Sequence, residues 1–353
     1  MITDKEMLVF IGSCPMNDNA GIYTFRFNVQ SGRLTPTDHY FRAENPSFLA
    51  VNKTNNRLYS VGEREQGIVR AFSINGTTGE LTLINTQTTG GKGPCHLTID
   101  SHANVLFAAN YRSGSVSSMP ILPNGAIGSA SSVILHEGSS VIPDRQGEPH
   151  PHSTVLSPDE QFVFVQDLGT DKIMIYRLDI ATAKLAPSNP PYVATAAGSG
   201  PRHFVFHPDG KRAYLINELN NTIIAYDYDA ARGNLREFQT ISALPSDFTG
   251  ESYCADIHIH PSRKFLYGSN RGHDSIAIFR IEENTGRLTL LGFESTRGGY
   301  PRNFIIDPTG MFMIVTNQRG DNVVVFHINQ RTGMLKPTGQ VLTLSVPLGI
   351  RML

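Results

Sequence analysis

Cysteine is scarce in this chain, and neither sign of charge dominates its composition. The 353 residues include three cysteines, Cys14, Cys95 and Cys254, which form no CxxC pair and have no metal-site spacing. We therefore expect reduced thiols in a cytoplasmic protein rather than a disulfide framework. Lys plus Arg total 30 and Asp plus Glu total 31, so no basic stripe predicts binding to a nucleic acid.

Long apolar runs are also missing. No stretch approaches the roughly 20 apolar residues that a membrane-spanning helix needs. The N-terminal stretch MITDKEMLVFIGS is charged, and its apolar run is too short for a signal peptide. No long segment has the 3.6-residue periodicity of an amphipathic helix. These absences predict a protein that has no membrane partner and no layer of helices.

Short β-branched runs separated by turn residues take the place of helices. The chain has 32 glycines and 21 prolines, and six similar stretches recur along it, with starts separated by 48, 57, 50, 53 and 47 residues. The six are PSFLAVNKTNNRLYSVGE from Pro46, PCHLTIDSHANVLFAANY from Pro94, PHSTVLSPDEQFVFVQDL from Pro151, PRHFVFHPDGKRAYLINEL from Pro201, CADIHIHPSRKFLYGSNR from Cys254 and PRNFIIDPTGMFMIVTNQ from Pro301. Each reads as strand, turn and strand, followed by further strands.

A period of about fifty residues with four strands per repeat is typical of a β-propeller blade. A seventh copy is split between the ends of the chain, with PLGIRML at the C-terminus and MLVFIGS, GIYTFRFN and GRLTPTDHY near the N-terminus. Pairing the two ends would close the ring and leave no blade with an open edge. We therefore predict an all-β, seven-bladed propeller that spans residues 1–353 as one domain.

Aligning the repeats separates residues that the blade geometry demands from residues that it does not. Twenty positions after each start, good turn formers recur: Asp171, Asn221, Asp274 and Asp321. Sixteen positions after, asparagine recurs, and its side-chain amide can satisfy nearby backbone groups. Those asparagines are Asn110, Asn217, Asn270 and Asn317, with Asp167 at the same position of another repeat. Both columns indicate at least partly structural roles.

Three other columns vary in residue type and carry reactive residues. One position after the start come His152, Arg202 and Arg302, and two positions after come His96, His203 and Asp256. Seventeen positions after, Glu218 and a unique Arg271 stand in the column. The first strand runs antiparallel to the second, so all three columns are expected at one rim of the ring, around the mouth of the central channel. Arginines and histidines with one carboxylate favour a site for a small anionic molecule. Ion pairs between blades are the structural alternative for each residue.

Other chemistries have weaker support in the sequence. His96, His150, His152, His203 and His258 raise the possibility of a metal, but they come from different blades, so we expect neither a metal nor another cofactor. The glycine-rich TGGKGPC, residues 89–95, lacks phosphate-loop spacing and is interpreted as a loop between blades. The chain has no GxSxG motif.

At these residues the chain resembles the seven-bladed propeller lactonases, a family that includes bacterial 6-phosphogluconolactonases and fungal carboxymuconate cyclases. The matching motifs are EPHPHSTVLSPDEQFVFVQDLGTDKI, GPRHFVFHPDGKRAYLINEL, ADIHIHPSRKFLYGSNRGHDSIAIF and YPRNFIIDPTGMFMIVTNQRGDNVVVF. The site proposed for the cyclase branch would fall here on His150 or His152 and on Arg202, Glu218 and Arg271. The resemblance departs at Gly62, where an asparagine is expected, and at Gln166.

The resemblance implies hydrolysis of a sugar lactone, foremost 6-phosphogluconolactone in the pentose phosphate pathway. Glu218 or a neutral histidine could activate water, and we favour Glu218 as the base, with His152 orienting the substrate. Arginines would stabilise the oxyanion and hold a phosphate or carboxylate. The residues expected to bind the substrate are Arg302, His203, His96, Asn270, Asp167 and His258. A muconate cycloisomerase and a non-catalytic binding propeller stay open as alternatives.

Overall fold

Each sequence repeat folds into one four-stranded antiparallel sheet. The computed structural model describes residues 6–16 and 19–353, so residues 1–5 of the charged N-terminal stretch and residues 17–18 lie outside the description. The chain begins with three strands of the closing blade. They are β1 (Glu6–Ser13), β2 (Gly21–Asn28) and β3 (Arg33–Arg42).

Blades 1 to 3 follow in chain order. Blade 1 consists of β4 (Leu49–Asn52), β5 (Arg57–Gly62), β6 (Ile68–Ile74) and β7 (Leu81–Thr88). Blade 2 consists of β8 (Pro94–Ile99), β9 (Val105–Asn110), β10 (Ser115–Pro120) and β11 (Ser132–Leu135). A short helix, α1 (Pro143–Gln146), precedes blade 3. Blade 3 consists of β12 (Pro151–Leu156), β13 (Phe162–Asp167), β14 (Lys172–Asp179) and β15 (Lys184–Ala194).

Blades 4 to 6 repeat the arrangement. Blade 4 consists of β16 (Pro201–Phe206), β17 (Arg212–Asn217), β18 (Thr222–Asp229) and β19 (Asn234–Ser242). Blade 5 consists of β20 (Tyr253–Ile259), β21 (Phe265–Arg271), β22 (Ser275–Ile281) and β23 (Leu288–Ser295). Blade 6 consists of β24 (Pro301–Ile306), β25 (Phe312–Asn317), β26 (Asn322–Ile328) and β27 (Leu335–Thr343). The last strand is β28 (Pro347–Met352).

The two ends of the chain share blade 7, as the split repeat predicts. Strand β28 pairs with β1, and the sheet has the order β28-β1-β2-β3. In this pairing Val9 lies opposite Met352, and Ile11 lies opposite Ile350. The innermost strands β4, β8, β12, β16, β20, β24 and β28 each contact the next, and β28 contacts β4. The seven-bladed, all-β prediction is therefore confirmed. That residues 1–353 form a single domain remains a prediction.

The hydrophobic core is divided among the seams between blades. Within the described residues, buried apolar side chains form seven clusters, and each cluster joins two neighbouring sheets. Phe162 and Phe164 of blade 3, for example, pack with Phe204 and Leu215 of blade 4. Because the alternating strand residues fill these seams, the ends of the strands are left to build the rims.

The recurring turn columns have the structural role expected of them. Positive φ angles of 54°, 54°, 53° and 47° occur at Asp171, Asn221, Asp274 and Asp321. Asp and Asn tolerate this left-handed conformation better than most other non-glycine residues. The asparagines sixteen positions after each start are buried and form hydrogen bonds with protein groups. The Asn317 amide, for example, donates to the Thr296 carbonyl at 3.0 Å.

One connection departs from the regular blade plan. Residues 136–150 link blade 2 to blade 3 and contain α1, and they account for the longest interval between repeat starts. Of the helices in the described part of the chain, none is long and apolar enough to cross a membrane.

Candidate active site at one rim of the propeller

The three variable columns meet at one rim, and members of two of them line a cavity of about 280 Å³. The first strand of each blade runs antiparallel to the second, so the start of the first strand lies beside the end of the second. The cavity wall consists of Glu63, Cys95, Tyr111, Arg145, His152, Glu218, Tyr253, Arg271, Tyr300 and Arg302. Residues from blades 1 to 6 therefore face one space.

Glu218 is the centre of this wall and holds three arginines. Its Oε2 accepts Arg202 Nε at 2.8 Å and lies 2.7 Å from Arg271 Nη2, while its Oε1 accepts Arg145 Nη2 at 2.5 Å. Glu218 comes directly after β17, Arg202 lies at the start of β16, and Arg271 ends β21. The carboxylate thus ties blade 4 to blade 5 and to the connection that carries α1.

Burial and these charges act on Glu218 in opposite directions. Burial alone would raise the pKa of the carboxyl, but Arg271, Arg202 and Arg145 together hold the pKa well below its ordinary value. The fully buried guanidinium beneath it is affected differently. Burial, followed by repulsion from Arg271, lowers the pKa of Arg202 to about 9, against the attraction of Glu218. The carboxylate therefore stays ionised and serves as the counter-charge of the cluster.

His152 faces the same cavity as a buried, neutral imidazole. The pKa of His152 is lowered well below its ordinary value, chiefly by burial. Nearby positive groups lower it further: Arg202, His203, Arg302 and Arg271. A neutral imidazole always presents one nitrogen lone pair. Its Nδ1 lies 3.9 Å from Cys95 Sγ. Burial raises the pKa of the Cys95 thiol to about 12, with Glu63 adding to the effect, so Cys95 is not a thiolate nucleophile at neutral pH.

A second buried carboxylate, Asp256, organises the histidines beneath the cavity. His203 Nδ1 donates to Asp256 Oδ1 at 2.8 Å, and His258 Nε2 donates to Oδ2 at 2.9 Å. The amide of Asn303 also donates to Oδ2. His203 Nε2 in turn accepts Arg202 Nη1 at 3.2 Å. We call Asp256, His203, His258 and Asn303 the Asp256 belt. The belt joins inner strands below the cavity and holds the Arg202 guanidinium that pairs with Glu218.

His258 belongs to the Asp256 belt, and His96 packs beside it. His96 packs at a tilt of 35° against Phe48, with ring centroids 4.1 Å apart, and its ring centroid lies 5.3 Å from that of His203. His258 packs edge-on against Phe304 and is partly exposed beyond Asp256. His96, His203 and His258 are predicted to bind the substrate, but they lie beneath the cavity wall and do not line the cavity.

Asp167 and Asn270 have local structural partners. Asp167 Oδ2 accepts His136 Nδ1 at 2.6 Å, and Oδ1 accepts the backbone N–H of His150 at 2.8 Å. The Asn270 amide donates to the Ala243 carbonyl at 2.7 Å. His150 stacks on Tyr111 at 4.4 Å and donates from Nδ1 to its carbonyl. The side chains of Asp167, Asn270 and His150 do not line the cavity, whereas that of Tyr111 does.

Sequence reasoning missed Arg145 and two tyrosines. Arg145 belongs to α1, outside the aligned columns, so only the 57-residue interval between repeat starts marked the insertion that carries it. Tyr253 and Tyr300 stand one position before two successive repeat starts, in a column that was not compared. The Arg145 guanidinium lies 5.5 Å from the Tyr253 ring, and the Arg271 guanidinium lies 5.1 Å from the Tyr300 ring. Both distances are within the range of a cation–π interaction.

The two departures from the family motif lie behind the wall. Gln166 is buried, and its Oε1 accepts the Ser153 hydroxyl. At Gly62 a Cβ atom would stand 2.6 Å from the Ile68 side chain, so a larger residue would need that side chain to move. Neither residue is part of the cavity lining.

One group of possible metal ligands occurs among the described residues, and it lies away from the cavity. Asp100, His102 and Glu160 present ligand atoms within 4.8 Å of one another. The Asp100 carboxylate already accepts the backbone N–H groups of Asn104 and Val105 at 2.6 Å. These contacts give the group a role in closing a turn.

Lys92 of the glycine-rich stretch lies in the connection between β7 and β8, as expected of a loop between blades.

Comparison with known proteins points to one family. The family model described as "Lactonase, 7-bladed beta-propeller" matches residues 8–352. A 6-phosphogluconolactonase of Bacillus subtilis is 36% identical over 297 residues, which cover 84% of each chain. One from Formosa agariphila is 37% identical over 304 residues, covering 84% of this chain and 85% of its own. A periplasmic gluconolactonase of Pseudomonas aeruginosa superposes with a TM-score of 0.94 at 30% identity over 99% of both chains.

Proposed function

Because the chain belongs to the seven-bladed β-propeller lactonase family, we propose that it hydrolyses sugar δ-lactones, with 6-phosphogluconolactone as its substrate. One observation carries the proposal for this chain. The cavity wall holds three arginines, with Arg202 beneath it, against two carboxylates, Glu218 and Glu63, so the four guanidiniums outnumber the carboxylates by two while His152 is neutral. Such a wall suits a small dianion, and two relatives are named for a phosphorylated lactone.

Opening a lactone requires a water nucleophile, a base for its proton and stabilisation of the oxyanion. The sequence favours Glu218 as the base, but its geometry supports another role. Both oxygens already accept guanidinium donors, and a carboxylate whose pKa lies well below its ordinary value is a weak base. We assign the base to His152. Burial is the chief cause of the low His152 pKa, and the arginines lower it further; a bound dianion would offset the arginines and so strengthen this base.

The arginines supply the positive charge that the reaction needs. Arg271 and Arg145 line the cavity, whereas Arg202 lies beneath them. The two guanidiniums that line the cavity would stabilise negative charge on the carbonyl oxygen of the lactone as water adds. Glu218 holds both in position, and the Asp256–His203 pair holds Arg202 from below. His152 then returns its proton to the ring oxygen as the carbon–oxygen bond breaks.

The test is hydrolysis of 6-phosphogluconolactone and of glucono-δ-lactone, corrected for spontaneous opening. We expect His152→Ala to lose about 10²- to 10³-fold in kcat, as removal of a general base does, and added imidazole to restore part of it. His327→Ala removes an exposed imidazole on β26 and is the matched control. Wild-type protein that opens neither lactone above the spontaneous rate would overturn the proposal. Muconate turnover or capture of a protein partner alone would then favour the alternatives.

The location in the cell stays a prediction. Three well-separated cysteines led us to expect a cytoplasmic protein, and a 6-phosphogluconolactonase of the pentose phosphate pathway would act there. The Pseudomonas relative is described as periplasmic. The expected lack of nucleic-acid and membrane partners likewise rests on composition.

A further inference from the structure

A second cavity adjoins the one that Glu218 faces. It measures about 230 Å³ and shares Glu63 and Arg302 with the first. Its other walls come from the closing blade and from blades 1, 2 and 6, including Ser47 and Gln318. The two cavities are therefore two ends of one space, with the reactive cluster at the first end and Arg302 at the junction.

Arg302 differs from Arg145, Arg202 and Arg271, which pair with Glu218, because its charge has no protein counter-ion. Across residues 6–16 and 19–353, its guanidinium makes no ion pair within 4.0 Å and no hydrogen bond. Glu63, the carboxylate shared by the two cavities, instead accepts the Ser47 hydroxyl at 2.6 Å. By contrast, Arg112 pairs with Glu65 at 2.8 Å, and Arg64 pairs with Glu44 at 2.8 Å.

Leaving this guanidinium unpaired has a cost. Arg302 is half-buried, so it has lost part of its hydration without gaining an ionic partner. A phosphate would supply the missing charge, and the planar guanidinium would bind two phosphate oxygens at once. In a 6-phosphorylated δ-lactone the phosphate lies several bonds from the carbonyl, across the ring oxygen. The carbonyl and the phosphate can therefore occupy different ends of the joined cavities.

We propose that Arg302 is the specificity-determining residue that binds the phosphate of a phosphorylated lactone, while the Glu218 cluster acts on the carbonyl. This inference rests on the proposed function and adds to it the position of the phosphate. Arg302 binds the part of the substrate that does not react, so its contribution appears in discrimination between phosphorylated and plain lactones.

The experiment compares kcat/KM for 6-phosphogluconolactone with kcat/KM for glucono-δ-lactone. Loss of a charge-assisted pair of hydrogen bonds should lower this ratio by about 10- to 100-fold in Arg302→Gln, which removes the charge and leaves a polar side chain. Arg302→Lys should retain part of the preference, because lysine supplies charge without the planar geometry. Inorganic phosphate should inhibit the wild type competitively and inhibit Arg302→Gln at least about tenfold more weakly.

Arg64→Ala is the matched control, because it removes one positive charge from an exposed, paired arginine of the same rim. It should change the ratio less than about threefold, in line with the small effect of surface ion pairs. An unchanged ratio in a folded Arg302→Gln, or an equal loss on both lactones, would overturn the inference. If Arg302→Gln does not fold, the same criteria apply to Arg302→Lys.

Failure of the proposed function would be recognised separately. If the wild type opens neither lactone, titration with inorganic phosphate followed by NMR or calorimetry still compares the wild type with Arg302→Gln. Binding that is lost in the variant supports the phosphate site, and binding that is unchanged overturns it.

Discussion

Two buried carboxylates lie close together in this propeller, and they are stabilised in different ways. Glu218 is surrounded by the permanent charges of Arg145, Arg202 and Arg271 and faces the cavity. Asp256 is surrounded by histidines, an asparagine amide and backbone N–H groups, beneath the cavity. The pKa of both is held below its ordinary value, although burial opposes the shift in each case.

Because of this difference, the arginines around Glu218 can pair with another anion, whereas the groups around Asp256 cannot. Arginines retain their charge when Glu218 is neutralised, so they stay available to another anion. His203 keeps a neutral ring, because burial and then Arg202 lower its pKa to about 4 against the opposing effect of Asp256. The ionised Asp256 is therefore stabilised by hydrogen-bond donors, and none of these donors carries a permanent charge that could turn to another anion. We infer that the Glu218 cluster binds ligand and that the Asp256 belt supports it.

The largest effect should follow from Glu218→Gln. Removing one partner of a buried ion cluster leaves uncompensated arginines, which costs about 3–5 kcal/mol in the free energy of unfolding. Activity should fall at least about 10²-fold as the guanidiniums lose their positions. Inorganic phosphate should restore the melting temperature of the variant more than it raises that of the wild type, because the anion replaces the carboxylate. Equal shifts in both proteins would contradict this account.

Asp256→Asn should have a smaller effect that phosphate does not relieve. The new amide would place a donor against the donors of Asn303 and the backbone of Phe304, at a cost of about 1–3 kcal/mol. Thermal unfolding with and without phosphate measures both parts of this prediction. A recovery as large as that of Glu218→Gln would mean that the belt also binds the anion, and the distinction between the two carboxylates would fail.

The smallest effect concerns pH. His96, His152 and His203 have folded-state pKa values below those of the unfolded chain, chiefly because they are buried. The unfolded chain therefore takes up protons below about pH 6.5 that the folded protein does not, and stability falls as the pH decreases. Each such histidine contributes a slope of about 1.4 kcal/mol per pH unit between that value and its folded pKa. Below about pH 4.5 the two carboxylates add to the loss.

His203→Gln isolates one of these histidines. Glutamine can donate to Asp256 and accept from Arg202, as the neutral imidazole does. Urea unfolding between pH 7 and pH 5 should show the slope reduced by about 1.4 kcal/mol per pH unit in this variant. His327→Gln, at an exposed position, should leave the slope as it is. Identical slopes for His203→Gln and the wild type would show that His203 titrates normally.

Much of the molecule follows from the repeat alone. Four strands and one turn pattern recur at a nearly constant period, and a ring of such sheets has one way to close when the last copy is split between the chain ends. The same repeat located Arg202, Glu218 and Arg271, because residues that a shared backbone geometry does not require stand out in an alignment of blades. His152 and Arg302 were found in the same way.

The tertiary structure alone decided which of these side chains pair with one another. Arg145 has no counterpart in the repeat, since it lies in the single long connection, and no periodicity could place it against Glu218. Asp167 and Asn270 stand in a column that already indicates a partly structural role, and their hydrogen bonds show that they bind the connections between strands. The sequence determines which residues reach the rim, because that depends on position along a strand. Which charges are compensated depends on distances of a few ångströms between side chains of different blades, and these arise only when the ring closes.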